Sequence, residues 1–213
     1  MLMEKERLEL IEFGKKMVNC NLTKGTGGNL SVYNREKGMV AITPSGIDFF
    51  EIKPEDIVIL DIDGNILEGN KKPSSELDMH MIFYRNREDI NSVIHAHTTY
   101  TTVLACLRWD LPATHYMIAV AGKDVRCADY ATFGSKELAE NAYEGMKDRK
   151  AVILANHGIL AGSTDLANAF NIVEEIEYCS EIYYRAKSIG NPTILDNNEM
   201  KLMDEKFKSY GQK

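Results

Sequence analysis

The stretch Val93-Ile94-His95-Ala96-His97 places two histidines, separated by one alanine, in a short apolar run. Such a run favours a β-strand, in which alternate side chains project from the same face. His95 and His97 would then lie roughly 7 Å apart along the backbone and could reach one cation. The alternative is a pair of polar residues on a solvated strand face, which the flanking Val93 and Ile94 disfavour. The segment therefore predicts a metal-binding pair on a buried strand.

A third histidine follows a second apolar run, Ala151–Asn156, which also has the pattern of a buried strand. His157 comes directly after it and precedes Gly158, at the kind of strand end where a rigid scaffold often holds functional side chains. The chain has five histidines, and three of them in this pattern fit a zinc site with room for a carboxylate or a substrate. His80 and His115 have weaker claims, since His80 falls on a helical pattern that favours a packed or hydrogen-bonded side chain.

Glu76 is the carboxylate candidate for the same site. The pattern predicts a helix over Ser75–Asn86, which places Glu76 in the first turn, where the helix dipole favours an anion. A glutamate without chemistry is the alternative, and this segment alone favours it. Ser74, Ser75 and the first amides of the helix could also bind a phosphate.

Two glycine-containing loops are further candidates for an anion site. The loop Lys24–Asn29 fails the dinucleotide-binding pattern because Leu30 stands where a glycine is required, and it lacks the ending of a P-loop. It can still form a backbone nest for an anion. Thr43-Pro44-Ser45-Gly46 is either a plain turn or a second anion contact.

Composition and charge narrow the class of protein. Of the 213 residues, 44% are hydrophobic and 27% are charged, which is ordinary for a soluble globular protein. The net charge of −7 argues against a nucleic-acid partner, which usually requires a basic surface. The apolar runs are far shorter than the roughly 20 residues of a membrane span, and the first residues lack the apolar core of a signal peptide. We therefore expect a cytoplasmic protein with reduced cysteines and no membrane or nucleic-acid partner.

Helical and strand patterns alternate along the chain, without a repeat or a linker. We expect one α/β domain over residues 1–213, with mixed α+β layers and a central mixed or largely antiparallel sheet flanked by helices. The predicted helices are approximately Glu4–Cys20, Ser75–Asn86, Thr99–Leu107, Ser135–Lys147, Asp165–Ser188 and Asn198–Ser209. The predicted strands are Asn29–Asn34, Met39–Thr43, Ile57–Asp61, Ile66–Glu68, Asn91–His97, Ala113–Val120, Asp124–Ala128 and Ala151–Asn156.

Five motifs together resemble the class II aldolase and adducin family, in the order and spacing of that family. They are Gly27-Gly28-Asn29-Leu30-Ser31, Thr43-Pro44-Ser45-Gly46, Ser74-Ser75-Glu76, His95-Ala96-His97 and Asn156-His157-Gly158. The resemblance covers nearly the whole chain and implies the fold of that family. Three further segments are most similar to its L-fuculose-1-phosphate aldolases and differ from its ribulose-5-phosphate 4-epimerases: His115–Ala119, Tyr130–Gly134 and Glu205–Gly211.

The resemblance implies a zinc enzyme that forms a homotetramer with active sites at the subunit interfaces. Zn²⁺, for which Co²⁺ or another divalent ion can substitute, would be bound by His95, His97 and His157, with Glu76 as fourth ligand when no substrate is bound. The substrate phosphate would lie among Gly28, Asn29, Ser45, Gly46, Ser74 and Ser75. The neighbouring subunit would contribute Tyr116 and Phe133, together with Phe207 and Tyr210 from the C-terminal tail.

The implied reaction is reversible cleavage of L-fuculose 1-phosphate to dihydroxyacetone phosphate and (S)-lactaldehyde, through an enediolate that the metal stabilises. Glu76 would protonate the enediolate carbon, and Tyr116 would exchange a proton with the oxygen that becomes the aldehyde; Tyr210 is a further catalytic candidate. The alternatives are a ribulose-phosphate 4-epimerase, a methylthioribulose-phosphate dehydratase and a non-catalytic adducin-like scaffold. The complete set of three histidines and a glutamate disfavours the scaffold.

Overall fold

A computed structural model describes residues 1–209 of the chain, which form six α-helices and eight β-strands. The helices are α1 (Glu4–Asn19), α2 (Leu77–Asn86), α3 (Thr99–Leu107), α4 (Lys136–Gly145), α5 (Leu166–Ile189) and α6 (Asn197–Phe207). The strands are β1 (Asn29–Asn34), β2 (Met39–Ile42), β3 (Val58–Asp61), β4 (Ile66–Glu68), β5 (Ser92–Ala96), β6 (Cys127–Ala128), β7 (Ala151–Leu154) and β8 (Gly158–Ser163).

The eight strands form one sheet in the order β4-β3-β2-β1-β5-β8-β7-β6. Neighbouring strands are antiparallel except β6 and β7, which are parallel. Short connections such as the turn between β7 and β8 produce antiparallel neighbours, because only a crossover connection can bring two strands side by side in parallel. The sheet confirms the predicted α/β class and the largely antiparallel, mixed arrangement.

Helices cover both faces of the sheet, so β5 in its centre is buried along its whole length. Ile94 and Ala96 face a core that also contains residues of α1, α3 and α5. Val93 faces the opposite core, which contains residues of α2 and α4. Full burial of a large apolar side chain such as Phe83 of α2 stabilises the fold by about 1.5–3 kcal/mol. These contacts hold α2 on the same face of the sheet as His95.

One predicted strand is wrong, and one observed strand was missed. The segment Ala113–Val120 is not a strand: it contains a 3₁₀ helix, Tyr116–Val120, closed by hydrogen bonds such as the one from the Ile118 amide to the His115 carbonyl. The strand β8 was not predicted, because its residues are buried on both faces and show no alternation of polar and apolar side chains.

The predicted start of α2 is also wrong, and this moves Glu76. The helix begins at Leu77, so Glu76 precedes its first turn. The Ser74 side-chain oxygen accepts a hydrogen bond of 3.2 Å from the Glu76 amide, and this bond holds Glu76 in a turn.

No helix within residues 1–209 is long and apolar enough to cross a membrane, and the four cysteines are free.

Candidate active site

Three histidines from two separate parts of the sheet converge at one point. His95 lies on β5, His97 follows β5, and His157 lies in the turn between β7 and β8. The Nε2 atoms of His95 and His97 are 2.9 Å apart, and the ring centroids of His95 and His157 are 4.6 Å apart. One ligand atom from each of the three lies within 4.8 Å of the others, so the group could hold a metal ion.

The turn that carries His157 depends on its two neighbouring residues. Asn156 has a φ of 54°, in the left-handed region that asparagine tolerates better than most residues. A Cβ atom on Gly158 would collide with the carbonyl oxygen of Ala96 on β5. Glycine at this position therefore lets β8 begin close enough to β5 for His157 to reach His95.

The imidazoles are suited to metal binding because His95 and His97 stay neutral. Burial, followed by the charges of His157 and His97, lowers the pKa of His95 well below its ordinary value. Burial and His157 also lower the pKa of His97. Nδ1 of His95 lies 2.9 Å from the carbonyl oxygen of Ile159, to which it donates. This hydrogen bond leaves the lone pair of Nε2 directed at the other two histidines.

Glu76 lies beside the three histidines. Its Oε2 atom lies 3.3 Å from Nε2 of His95, and its Oε1 atom lies 3.5 Å from Nε2 of His157. Ligand atoms around a tetrahedral zinc ion, with bonds of 2.0–2.1 Å, are separated by about 3.3–3.4 Å. Oε1 is buried and has no hydrogen-bond donor among the described residues. An unsatisfied buried oxygen at this spacing fits a metal ligand.

A cavity of about 320 Å³ opens beside this cluster, and Glu76, His97 and His157 line it. Two of the loops that line it are tied to each other: the Ser74 amide donates to the Thr43 carbonyl over 3.1 Å, and the Ser45 amide donates to the Lys72 carbonyl over 3.0 Å. All the residues predicted to surround the phosphate line this cavity, namely Gly28, Asn29, Ser45, Gly46, Ser74 and Ser75.

Comparison with known proteins identifies the family. A family model described as the class II aldolase and adducin N-terminal domain matches residues 8–184. The chain belongs to the class II aldolase and adducin family.

Similar proteins narrow the activity to that of an aldolase. A 5-deoxy-D-ribulose 1-phosphate aldolase of Bacillus thuringiensis serovar kurstaki is 57% identical to this chain, and the match covers 100% of each chain. An L-fuculose phosphate aldolase of Escherichia coli K12 is 39% identical, with 98% of each chain covered. A solved structure named L-fuculose 1-phosphate aldolase is 65% identical, with a TM-score of 0.96 and 98% of each chain covered. The protein is thus a class II aldolase, and its activity class is that of a lyase.

In this class II aldolase the predicted aromatic residues do not all lie at one place. Tyr116 and Phe207 have ring centroids 6.3 Å apart and line a different surface cavity, of about 910 Å³. Within the described residues, that cavity shares no lining residue with the histidine cavity. Phe133, which the resemblance assigns to a neighbouring subunit, lines the histidine cavity of its own chain. Tyr210 lies outside the described residues.

Two side chains at the class II aldolase site were not predicted for it. Tyr130 lines the cavity with 51% of its surface exposed. It begins the segment Tyr130–Gly134, whose resemblance to the L-fuculose-1-phosphate aldolases was the available signal. His80 is fully buried and contacts the Asn29 side chain. Its spacing of four residues from Glu76 was the available signal, because residues i and i+4 of a helix share a face.

Proposed function

We propose that this class II aldolase cleaves the C3–C4 bond of a ketose 1-phosphate whose last carbon is a methyl group. The products are dihydroxyacetone phosphate and a short aldehyde, and the reaction is reversible. The observation that carries the proposal is the convergence of His95, His97, His157 and Glu76 beside a cavity lined by amides and hydroxyls. The reaction needs a site that stabilises the developing negative charge and a site that binds the phosphate, and this cavity offers groups for both.

We assign the four ligands to one zinc ion per subunit, with Co²⁺ as a functional substitute. When bound, such an ion supplies Lewis-acid stabilisation of the negative charge that develops as the carbon–carbon bond breaks. The phosphate is held by backbone amides near Gly28 and Gly46 and by the hydroxyls of Ser45, Ser74 and Ser75. Fixing the phosphate fixes the position of C3 relative to Glu76.

Two proton transfers are then divided between two residues. Glu76 gives a proton to C3 after cleavage and removes it in the direction of synthesis. Tyr116, from a neighbouring subunit, exchanges a proton with the oxygen on C4, which becomes the aldehyde oxygen. Phe133, Phe207 and Tyr210 surround the methyl end of the substrate. The exposure of Tyr116, 47%, and its contact with Phe207 support a role towards another subunit of a homotetramer.

Two substrates fit this chemistry. L-fuculose 1-phosphate would give (S)-lactaldehyde, and the 65% sequence identity to a solved L-fuculose 1-phosphate aldolase favours it. 5-Deoxy-D-ribulose 1-phosphate would give acetaldehyde, and the relative that is 57% identical favours it. The two differ by one hydroxyl-bearing carbon, so the same residues can serve either. A cytoplasmic location, without nucleic-acid or membrane partners, stays a prediction from composition.

The experiment is a substrate panel with purified protein. L-fuculose 1-phosphate, 5-deoxy-D-ribulose 1-phosphate, L-rhamnulose 1-phosphate and ribulose 5-phosphate are each incubated with the protein, and dihydroxyacetone phosphate and the aldehyde are measured. We expect release of dihydroxyacetone phosphate from one or both of the first two, and their kcat/KM ratio decides between them. Conversion of ribulose 5-phosphate to its 4-epimer, without any dihydroxyacetone phosphate, would replace the proposal by an epimerase.

Chelation tests the metal assignment in the same assay. Treatment with a chelator should abolish cleavage, and Zn²⁺ or Co²⁺ should restore it. Full activity of protein shown by elemental analysis to be metal-free would contradict the assignment of the four ligands.

A further inference from the structure

A chain of buried polar side chains leads from Glu76 into the core between β1 and α2. Nδ2 of Asn29 donates to Oε2 of Glu76 over 2.9 Å, and Oδ1 of Asn29 lies 2.5 Å from Nε2 of His80. Nδ1 of His80 lies 2.6 Å from the Ser31 hydroxyl, which lies 2.6 Å from the Tyr84 hydroxyl. Each of the five residues is at most 6% exposed. Neither ring nitrogen of His80 is available to a metal ion, since both are engaged.

The strand register explains why Asn29 is the link. Asn29 on β1 pairs with His95 on β5, and Ser31 pairs with Val93. Residues two apart on a strand share a face, so Asn29 and Ser31 both point at α2. His80 lies between them, four residues after Glu76 along the chain.

Each hydrogen bond in the row of side chains from Glu76 to Tyr84 has only one possible direction. A carboxylate only accepts, so Asn29 must present its NH₂ group to Glu76 and its carbonyl oxygen to His80. His80 must therefore carry its proton on Nε2. Burial lowers the pKa of His80 to about 3, so the ring is neutral and Nδ1 is a bare acceptor. Ser31 donates to it, and Tyr84, whose pKa burial raises, donates to Ser31.

The opposite tautomer of His80 would disturb Glu76. It would leave a bare Nε2 against the Asn29 carbonyl oxygen, two acceptors facing each other. Rotating the Asn29 amide to relieve this would turn its oxygen towards the carboxylate. Because a buried polar group that loses its partner is strongly unfavourable, the native hydrogen-bond directions are preferred.

We propose that His80 is a positioning residue of the active site, whose Nε2–H group fixes the Asn29 amide so that it donates to Glu76. The hydrogen bond holds one carboxylate oxygen in place, while the other, Oε1, faces His157 and has no donor among the described residues. This inference rests on the proposed function in one respect, that Glu76 binds the metal and moves the proton.

A double-mutant cycle with His80→Phe and Asn29→Ala tests the proposal. The first readout is the dissociation constant for Co²⁺, measured by competition with a chelator in the absence of substrate, with the visible spectrum of the Co²⁺ protein recorded alongside. The second readout is kcat and KM for cleavage. Loss of a hydrogen-bonding partner behind a metal ligand typically costs about 10–100-fold in metal affinity or activity. We expect a loss of this size in Co²⁺ affinity and in kcat for His80→Phe, with a smaller change in KM.

The cycle separates positioning from general stability. If His80 acts through Asn29, then His80→Phe should cause no further loss in protein that already carries Asn29→Ala. Equal losses in both backgrounds, or unchanged Co²⁺ affinity and spectrum in His80→Phe, would overturn the proposal.

Tyr84→Phe is the matched control: it also removes a buried polar group, but the Ser31 hydroxyl can still donate to Nδ1 of His80. We expect it to bind Co²⁺ within about threefold of the unmodified protein, since the tautomer of His80 and the hydrogen bond from Asn29 to Glu76 are unchanged.

Two amide variants keep the test decisive if His80→Phe does not fold. Glutamine can place its NH₂ group near the position of Nε2, whereas asparagine is too short to do so. We expect His80→Gln to retain most of the Co²⁺ affinity and His80→Asn to lose it; the reverse order would overturn the proposal. The Co²⁺ measurements need no substrate. Failure of the unmodified protein to release dihydroxyacetone phosphate would therefore refute the proposed function and leave this test intact.

Discussion

At the scale of single residues, the proposed function gives Glu76 two roles, as metal ligand and as proton carrier, that one substitution can separate. Glu76→Gln keeps the shape of the side chain and an oxygen that can bind a metal, but it removes the group that accepts a proton. General acid–base catalysis contributes about 10²–10⁴ in rate. We expect kcat for dihydroxyacetone phosphate release to fall by that factor, while zinc content, measured by atomic absorption, stays close to one per subunit.

The exposed Glu51 provides the control, since Glu51→Gln makes the same chemical change at a residue that does not line the histidine cavity. Loss of zinc by Glu76→Gln with an intact fold would make Glu76 mainly a ligand. Turnover equal to that of Glu51→Gln would leave it without a catalytic role.

The buried histidine of the same network predicts how stability depends on pH. The pKa of His80 is about 3 in the folded protein and near 6.5 when unfolded. Between these values the unfolded chain binds a proton that the folded chain does not, so stability is fully present above pH 6.5 and falls as the pH decreases. The slope from this residue is about 1.4 kcal/mol per pH unit between pH 6 and pH 4.

Urea unfolding at several pH values measures this slope, at one protein concentration throughout. His80→Gln should reduce the slope by about 1.4 kcal/mol per pH unit. His115→Gln, which removes a half-buried histidine with no part in this network, is the control. Identical slopes for the unmodified protein and His80→Gln would mean that His80 is charged in the folded state.

The residue scale also shows how far sequence reasoning reaches. The convergence of His95, His97 and His157 was predictable, because two of them alternate on one strand and the third ends another. The contact of His80 with Asn29 was not, because it depends on where α2 lies on the sheet. Helix placement comes from packing of residues such as Phe83 over long sequence separations, and no local pattern encodes it.

At the scale of elements, α1 contains a glycine whose role is steric. A Cβ atom on Gly14 would overlap the ring of Phe49, which is 2% exposed. Alanine would improve helix propensity by about 1 kcal/mol, but overpacking a dense core typically costs about 1–3 kcal/mol. We expect Gly14→Ala to lower the free energy of unfolding by up to about 2 kcal/mol net, as measured in urea.

A second background identifies the cause. In protein carrying Phe49→Leu, whose side chain is smaller, the same Gly14→Ala change should be neutral or stabilising. Destabilisation of equal size in both backgrounds would show that the ring of Phe49 is not what excludes a side chain at position 14.

The type of an element was predictable where the hydrophobic periodicity was clear, and the prediction failed where no periodicity was present. The amphipathic pattern of α1 and the hairpin of β3 and β4 gave bounds close to those observed. β8 and the 3₁₀ helix Tyr116–Val120 have consecutive apolar residues, which are compatible with a strand, a helix or neither. For such segments the surrounding core decides the conformation.

At the scale of the whole molecule, the positions of the aromatic residues bear on how the active site is assembled. Phe133 lies at the cavity of its own chain, whereas Tyr116 and Phe207 line a different surface. If Tyr116 takes part in the reaction, it must therefore act on the site of a neighbouring chain. An oligomer in which each interface joins the histidine cavity of one subunit to the Tyr116 surface of the next satisfies this requirement.

Mixed oligomers test that arrangement. Glu76→Gln and Tyr116→Phe subunits, each nearly inactive alone, are mixed in equal amounts under conditions of subunit exchange. In random tetramers, about one quarter of sites would combine an intact Glu76 with an intact Tyr116 from the neighbour, so about a quarter of the original activity should return. Subunits carrying different mass tags show whether exchange has occurred, and Glu76→Gln mixed with itself gives the baseline. If exchange is complete and activity stays at that baseline, each site is built within one chain. The residue that exchanges a proton with the aldehyde oxygen must then line the histidine cavity, and the exposed Tyr130 is the tyrosine that does so among the described residues.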